Sequence, residues 1–147
     1  MAKGNLLIVD DEEMLVRMLK DTLSMYADQV FTAQDGVIAL DIVNKNEVHC
    51  IICDINMPNM NGVEVLKNLR KVNNDVPFIF FTGHGNHSLM VEAAKYGAFD
   101  FLDKPFYEGL EDVVKRGLVV GVNGSDGPLQ ADVVMSDYQK LLKSLEE

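Results

Sequence analysis

The sequence predicts an α/β fold: one doubly wound, five-stranded parallel sheet with helices on both faces. Three observations predict it. Short strand-length runs are apolar at successive positions rather than alternating, as in strands covered on both faces. Amphipathic stretches of helical period fill the gaps, and strand–helix alternation with right-handed crossovers builds an open sheet. Four of the five runs end in a reactive polar side chain. Such sheets place ligands outside the carboxyl ends of their strands.

The elements follow in order. Leu6 to Val9 is the first strand and runs into Asp10-Asp11. Leu15, Met18, Leu19, Thr22 and Leu23 then recur at helical spacing. Gln29 to Ala33 is a second, weaker strand, and Asp35 is placed to cap a helix through Val43. Val48 to Cys53 leads into Asp54, and Asn61-Gly62 precedes an amphipathic stretch carrying Val63, Val65, Leu66 and Leu69. Phe78 to Phe81 ends in Thr82. Asn86 is placed to cap a helix from His87 to Tyr96, with Gly97 at the usual left-handed end. Phe99 to Asp103 meets Lys104-Pro105, and Phe106 to Val119 is the fifth helix. Gly109 and Gly117 each cost about 1 kcal/mol there against alanine, so that helix is expected to end early or fray. In the flavodoxin-like strand order 2-1-3-4-5 the crevice lies between strands 1 and 3. Asp10, Asp11 and Asp54 then share it, with Thr82 and Lys104 reaching in from one side.

Composition sets exclusions. The 147 residues suffice for one ordinary domain and an appendage, and 48% hydrophobic content supports a packed core. A formal net charge of −10 argues against direct nucleic-acid binding and against an anionic membrane surface. No apolar run approaches the roughly 20 residues of a membrane span. The first residues enter a strand directly, so a cytoplasmic location is expected. Cys50 and Cys53 form a CxxC pattern, but strand positions three apart point to opposite faces, so both are read as core residues. The eight methionines are read as core filler.

The expected organisation is a domain over 1–120, a Gly/Asn/Ser/Asp-rich linker over 121–130 and an amphipathic helix over 131–147. Three readings of that helix stay open: docking on the domain, dimerisation, or the start of a longer linker.

Clustered carboxylates repel one another unless a cation sits among them, and hard oxygen ligands on a solvated rim suit Mg²⁺. Asp11 and Asp54 are the expected direct ligands, with Asp10 near or through water and the backbone carbonyl of Asn56 as a further oxygen. Asp54 is the candidate nucleophile, since a carboxylate can attack phosphorus in line and become an aspartyl phosphate. Lys104 supplies positive charge, Thr82 a hydrogen bond to a phosphoryl oxygen, and Gly83 open space beside it. His84 is placed to line the mouth and tune hydrolysis or donor choice, while His49 reads as an ordinary strand-edge residue.

The stretches Leu7 to Glu12, Asp54 to Gly62, Phe81-Thr82-Gly83 and Tyr96 to Phe106 resemble the receiver domain of bacterial two-component response regulators, of the single-domain chemotaxis type. The resemblance covers about residues 4 to 120 and agrees in motif identity, order and spacing. It implies that Asp54 accepts phosphate from a sensor histidine kinase or a histidine phosphotransfer protein. It implies an Mg²⁺ pocket at Asp10 and Asp11, and phosphoryl reading by Thr82 and Lys104. It implies a switch that couples Thr82 to Phe101, and a cis Lys104–Pro105 bond aiming the lysine inward. Phe101 departs from the tyrosine often found there and lacks its hydroxyl. Output is expected around the fourth helix, fifth strand and fifth helix, toward a downstream protein or a second, phosphorylation-dependent copy. The resemblance implies a signalling module with Mg²⁺-dependent self-phosphorylation and dephosphorylation chemistry, and not a metabolic enzyme.

Two rivals share parts of this chemistry. A phosphatase of the haloacid dehalogenase type places its nucleophile after the first strand, with a second Asp two residues later; here Asn56 stands two residues after Asp54. A flavin carrier needs a phosphate loop after strand 1, where Asp10-Asp11-Glu12-Glu13 would repel phosphate.

Overall fold

The computed structural model describes residues 3–83, 87–124 and 137–145. Five strands form one parallel sheet of order β2-β1-β3-β4-β5. They are β1 (Asn5–Val9), β2 (Gln29–Ala33), β3 (Cys50–Cys53), β4 (Phe78–Thr82) and β5 (Asp100–Asp103). Between and after them run α1 (Glu13–Leu23), α2 (Gly36–Lys45), α3 (Gly62–Lys71), α4 (His87–Lys95), α5 (Tyr107–Asn123) and α6 (Asp137–Leu145).

The alternation of strand side chains divides the core in two. Leu7, Val9, Ile51, Cys53, Phe78, Phe80 and Phe101 face α2, α3 and α4, which contribute Ala39, Val63, Val65, Leu66, Leu69 and Ala93. Leu6, Ile8, Cys50, Ile52, Ile79, Phe81 and Leu102 face α1 and α5, which contribute Leu15, Leu19, Leu23, Leu110, Val113, Val114 and Leu118. Fully burying one such side chain stabilises by roughly 1.5–3 kcal/mol. The two cysteines are free, buried, and on opposite faces of the sheet.

Local chemistry sets the helix starts. Asp35 accepts the Ile38 amide at the head of α2. Asn61 and Glu64 form a reciprocal capping box on α3. Each cap stabilises by about 1 kcal/mol. Gly97 carries φ +71 just past α4, the left-handed ending that glycine favours. The Asn86 cap lies outside the described residues.

Two expectations change. α5 neither stops nor frays at its glycines. It runs unbroken to Asn123, so Gly121, Val122 and Asn123 are helical and not linker. The reason is close packing: a Cβ at Gly117 would press on Cys50 Sγ and one at Gly121 would collide with the His49 backbone. The glycines let α5 lie tight on the start of β3. The methionines are not all core: Met14, Met18 and Met25 are exposed. Residues 125–130 of the expected linker and 131–136 of the expected terminal helix lie outside the described residues. No helix among the described residues is long and apolar enough to cross a membrane.

Candidate functional site

Strand register brings the polar ends together. Val9 pairs with Cys53, so Asp10 and Asp54 follow on neighbouring strands at one edge, and the Asp54 amide donates to the Val9 carbonyl at 3.0 Å. Thr82 pairs with Asp103, so Lys104 follows beside it, its amide donating to the Thr82 carbonyl at 2.9 Å. The Lys104–Pro105 bond is cis.

The Lys104 ammonium lies at the centre. Its Nζ donates to Asp10 Oδ2 at 2.9 Å, to Glu12 Oε1 at 2.9 Å and to Asp54 Oδ2 at 3.4 Å. Asp10 is pinned from the other side, where its Oδ1 accepts the Glu12 amide at 2.9 Å. Asp54 Oδ1 accepts the Ile55 amide at 2.7 Å. Asp54 and Asp10 are buried, whereas Glu12 is largely exposed.

Gly62 shapes the floor beneath Asp54. A Cβ there would collide with the Asp54 carbonyl oxygen. The glycine thus allows the start of α3 to close under the acid. Gly83 is the opposite case: a Cβ on it would meet no atom within 4 Å, leaving room beside Thr82. Thr82 is buried. Phe101 is also buried, its ring centroid 5.4 Å from that of Phe80, which it pairs with across the strands. Asn56 is exposed just past Ile55, and His84 lies outside the described residues.

Three carboxylates around one ammonium leave two formal negative charges at this edge. Ligand oxygens of Asp10, Glu12 and Asp54 all lie within 4.8 Å of one another. Burial pushes the Asp10 carboxyl above its ordinary value, and the Asp54 charge adds to that. The Glu12 amide and Lys104 oppose the rise without cancelling it. For Lys104, burial disfavours the charged form. Its hydrogen bonds to Asp10 and Glu12, with the charges of Asp10 and Asp54, outweigh that and hold the ammonium above the usual lysine value. The lysine therefore keeps its proton. An all-oxygen set of this kind fits a hard divalent cation.

Glu12 is the residue that sequence reasoning did not place in the group. Asp11, expected as a ligand, is exposed and not among the three that converge. Four acids stand in succession from Asp10 to Glu13, and spacing cannot tell which turns inward. Glu12 stands at the N-cap of α1 with extended backbone, φ −84 and ψ 97.

Comparison with known proteins identifies the family. The family model described as the response regulator receiver domain matches residues 6–116. A chemotaxis protein CheY homolog of Campylobacter jejuni is 40% identical over 121 residues, covering 76% of this chain and 93% of that protein. The C4-dicarboxylate transport transcriptional regulatory protein DctD of Pseudomonas aeruginosa is 37% identical over 120 residues; the match covers 81% of this chain but only 26% of DctD. Among solved structures, that of FixJ-N superposes with a TM-score of 0.72 at 34% identity, covering 81% of this chain and 96% of that one.

Proposed function

Since the chain belongs to the response regulator receiver domain family, we propose that it is a phosphorylation-controlled switch whose phosphoacceptor is Asp54. The observation that carries the reading is the Lys104 ammonium held among Asp10, Glu12 and Asp54 at the carboxyl edge of the sheet.

Asp54 attacks phosphorus through the oxygen that faces Lys104. A P–O bond forms to the carboxylate as the P–N bond of a phosphohistidine donor breaks, and the electron pair leaves with the imidazole nitrogen. Positioning and charge neutralisation carry most of such a transfer. Lys104 meets one phosphoryl oxygen, the Thr82 hydroxyl donates to another, and the space at Gly83 admits the group. Asp10 and Asp54, with Asp11 and the Asn56 carbonyl at the exposed rim and Glu12 engaged by Lys104, are the proposed ligands that would hold Mg²⁺, which when bound would neutralise charge on the acids and on the phosphoryl oxygens. Phe101 and Pro105 belong to the switch, as the residues that set the packing and direction of the β5 end. His84 is proposed to tune the mouth.

The proposed donor is a sensor histidine kinase or a histidine phosphotransfer protein in the cytoplasm. The reader is a downstream protein or a second copy of the chain. The proposed division into a receiver over 1–120, a linker and a terminal helix follows the same reading, with the helical end of α5 carried to Asn123.

Phosphoramidate, a small P–N donor, tests the reading. With Mg²⁺ it should label the full chain, and labelling should vanish in Asp54→Ala or on chelation. Equal labelling of Asp54→Ala would overturn the assignment.

A further inference from the structure

Helix α6 lies beyond the family match at residues 6–116, and the phosphoryl chemistry makes no use of it. Yet it is tied into the core. Tyr138 is fully buried within the same apolar cluster as Phe80, Ala93, Ala98 and Phe101, and Leu142 packs against that cluster one turn on. The Tyr138 hydroxyl donates to the Ala98 carbonyl, just before β5. The helix thereby covers β5, the edge strand of the sheet, and touches α4.

Among the described residues α6 counts 9, and a segment of that length is marginal as a helix on its own in water, where roughly 12–15 are needed. Helicity of this segment therefore depends on docking. The connection over 125–136 has a covalent reach of up to about 40 Å when extended, so α6 can leave while α5 stays in place.

We infer that α6 is a cis-acting latch on the α4–β5 face, docked when Asp54 carries no phosphoryl group and released when it does. This rests on the phosphoacceptor reading above. β5 is four residues long, with the Tyr138 contact at one end and Lys104 just past the other. In the arrangement that has α6 docked, Lys104 is held by Asp10, Glu12 and Asp54. A phosphoryl group on Asp54 competes for that ammonium and pulls on the end of β5. Phe101, midway along, shares its cluster with Tyr138. A packing that suits the docked helix is biased against by the new charge. Linkage makes this reciprocal: docking must oppose loading of the site by the same factor that loading opposes docking.

Hydrogen exchange on the full chain, with and without beryllofluoride and Mg²⁺, tests the latch, with ¹⁹F NMR reporting whether beryllofluoride has bound. Amides of 137–145 should be protected in the free chain and lose that protection in the loaded chain. The full chain with Tyr138→Ala should lose it without loading, keep the protection of β1 and β3, and bind beryllofluoride roughly fivefold or more tightly than the parent. Unprotected α6 amides in the free chain would overturn docking. Protection unchanged despite a bound fluorine signal, or equal affinity in Tyr138→Ala, would overturn the coupling. Absence of any bound signal would overturn the site reading, and the release with it.

Discussion

The Lys104 ammonium stands 3.4 Å from Asp54 Oδ2, the longest of its three carboxylate contacts. That spacing places the cation beside the acid without locking it there. A group arriving on Asp54 finds a charge already in reach and held mainly by its neighbours.

Removing Lys104 should therefore separate binding from response. Lys104→Ala leaves Asp10 buried without its ammonium. Stability without divalent metal should fall by about 1.5–3 kcal/mol, the range for hydrogen bonds to charged groups. Thermal unfolding with and without Mg²⁺ checks this: metal should restore more stability to the variant than to the parent. Labelling at Asp54 should persist weakly, and the exchange change in α6 should be absent.

Gly62→Ala should disturb the acid from below. The new Cβ collides with the Asp54 carbonyl, and overpacking of this kind costs about 1–3 kcal/mol. Denaturant melts should show that loss, together with slower phosphorylation. A variant with parental stability would show that the approach of α3 to Asp54 is looser than described.

The ligand set is open to a direct comparison. Asp11→Asn should weaken Mg²⁺ binding roughly tenfold or more, on the scale seen when groups around a metal are removed. Glu12→Gln should weaken it less, because Glu12 holds Lys104. Titration of both variants with Mg²⁺ decides. The reverse order would assign the metal to the group that converges in the structure, Asp10, Glu12 and Asp54.

Alkali should loosen α6. Burial, with the Asp100 charge, pushes the Tyr138 hydroxyl above its ordinary value, and Arg70 opposes the rise. The folded state then holds this proton more tightly than the unfolded one. The stabilisation is complete below about pH 10 and is lost as pH climbs past it. Exchange protection of 137–145 should fade above that pH in the parent, and Tyr138→Phe should lack that component. Identical pH profiles would contradict the placement of Tyr138.

Most of the fold was legible because it rests on local signals. Continuous apolar runs named four strands, β2 matched Gln29–Ala33, and Asp35 and Asn61 announced their helices. Asp10, Asp54 and Lys104 were legible as strand-end polar residues, and the structure brings their side chains together because position in such a sheet favours convergence. What escaped depends on contacts between distant residues. Gly117 read as a helix breaker and Gly121 as linker because only the packed structure reveals Cys50 beneath the one and His49 beneath the other. Glu12 escaped because side-chain direction at an N-cap follows from backbone angles, not from spacing. The burial of Tyr138 escaped because an amphipathic pattern says that a helix has a partner without saying which.

The most direct test asks which carboxylate carries the phosphate. The full chain is treated with Mg²⁺ and a small acyl phosphate, reduced with borohydride to convert any aspartyl phosphate to homoserine, and mapped by peptide mass. The account predicts a single conversion, at Asp54. Conversion at Asp10 or Asp11 instead, or none at any acid despite intact protein and saturating donor, would contradict it.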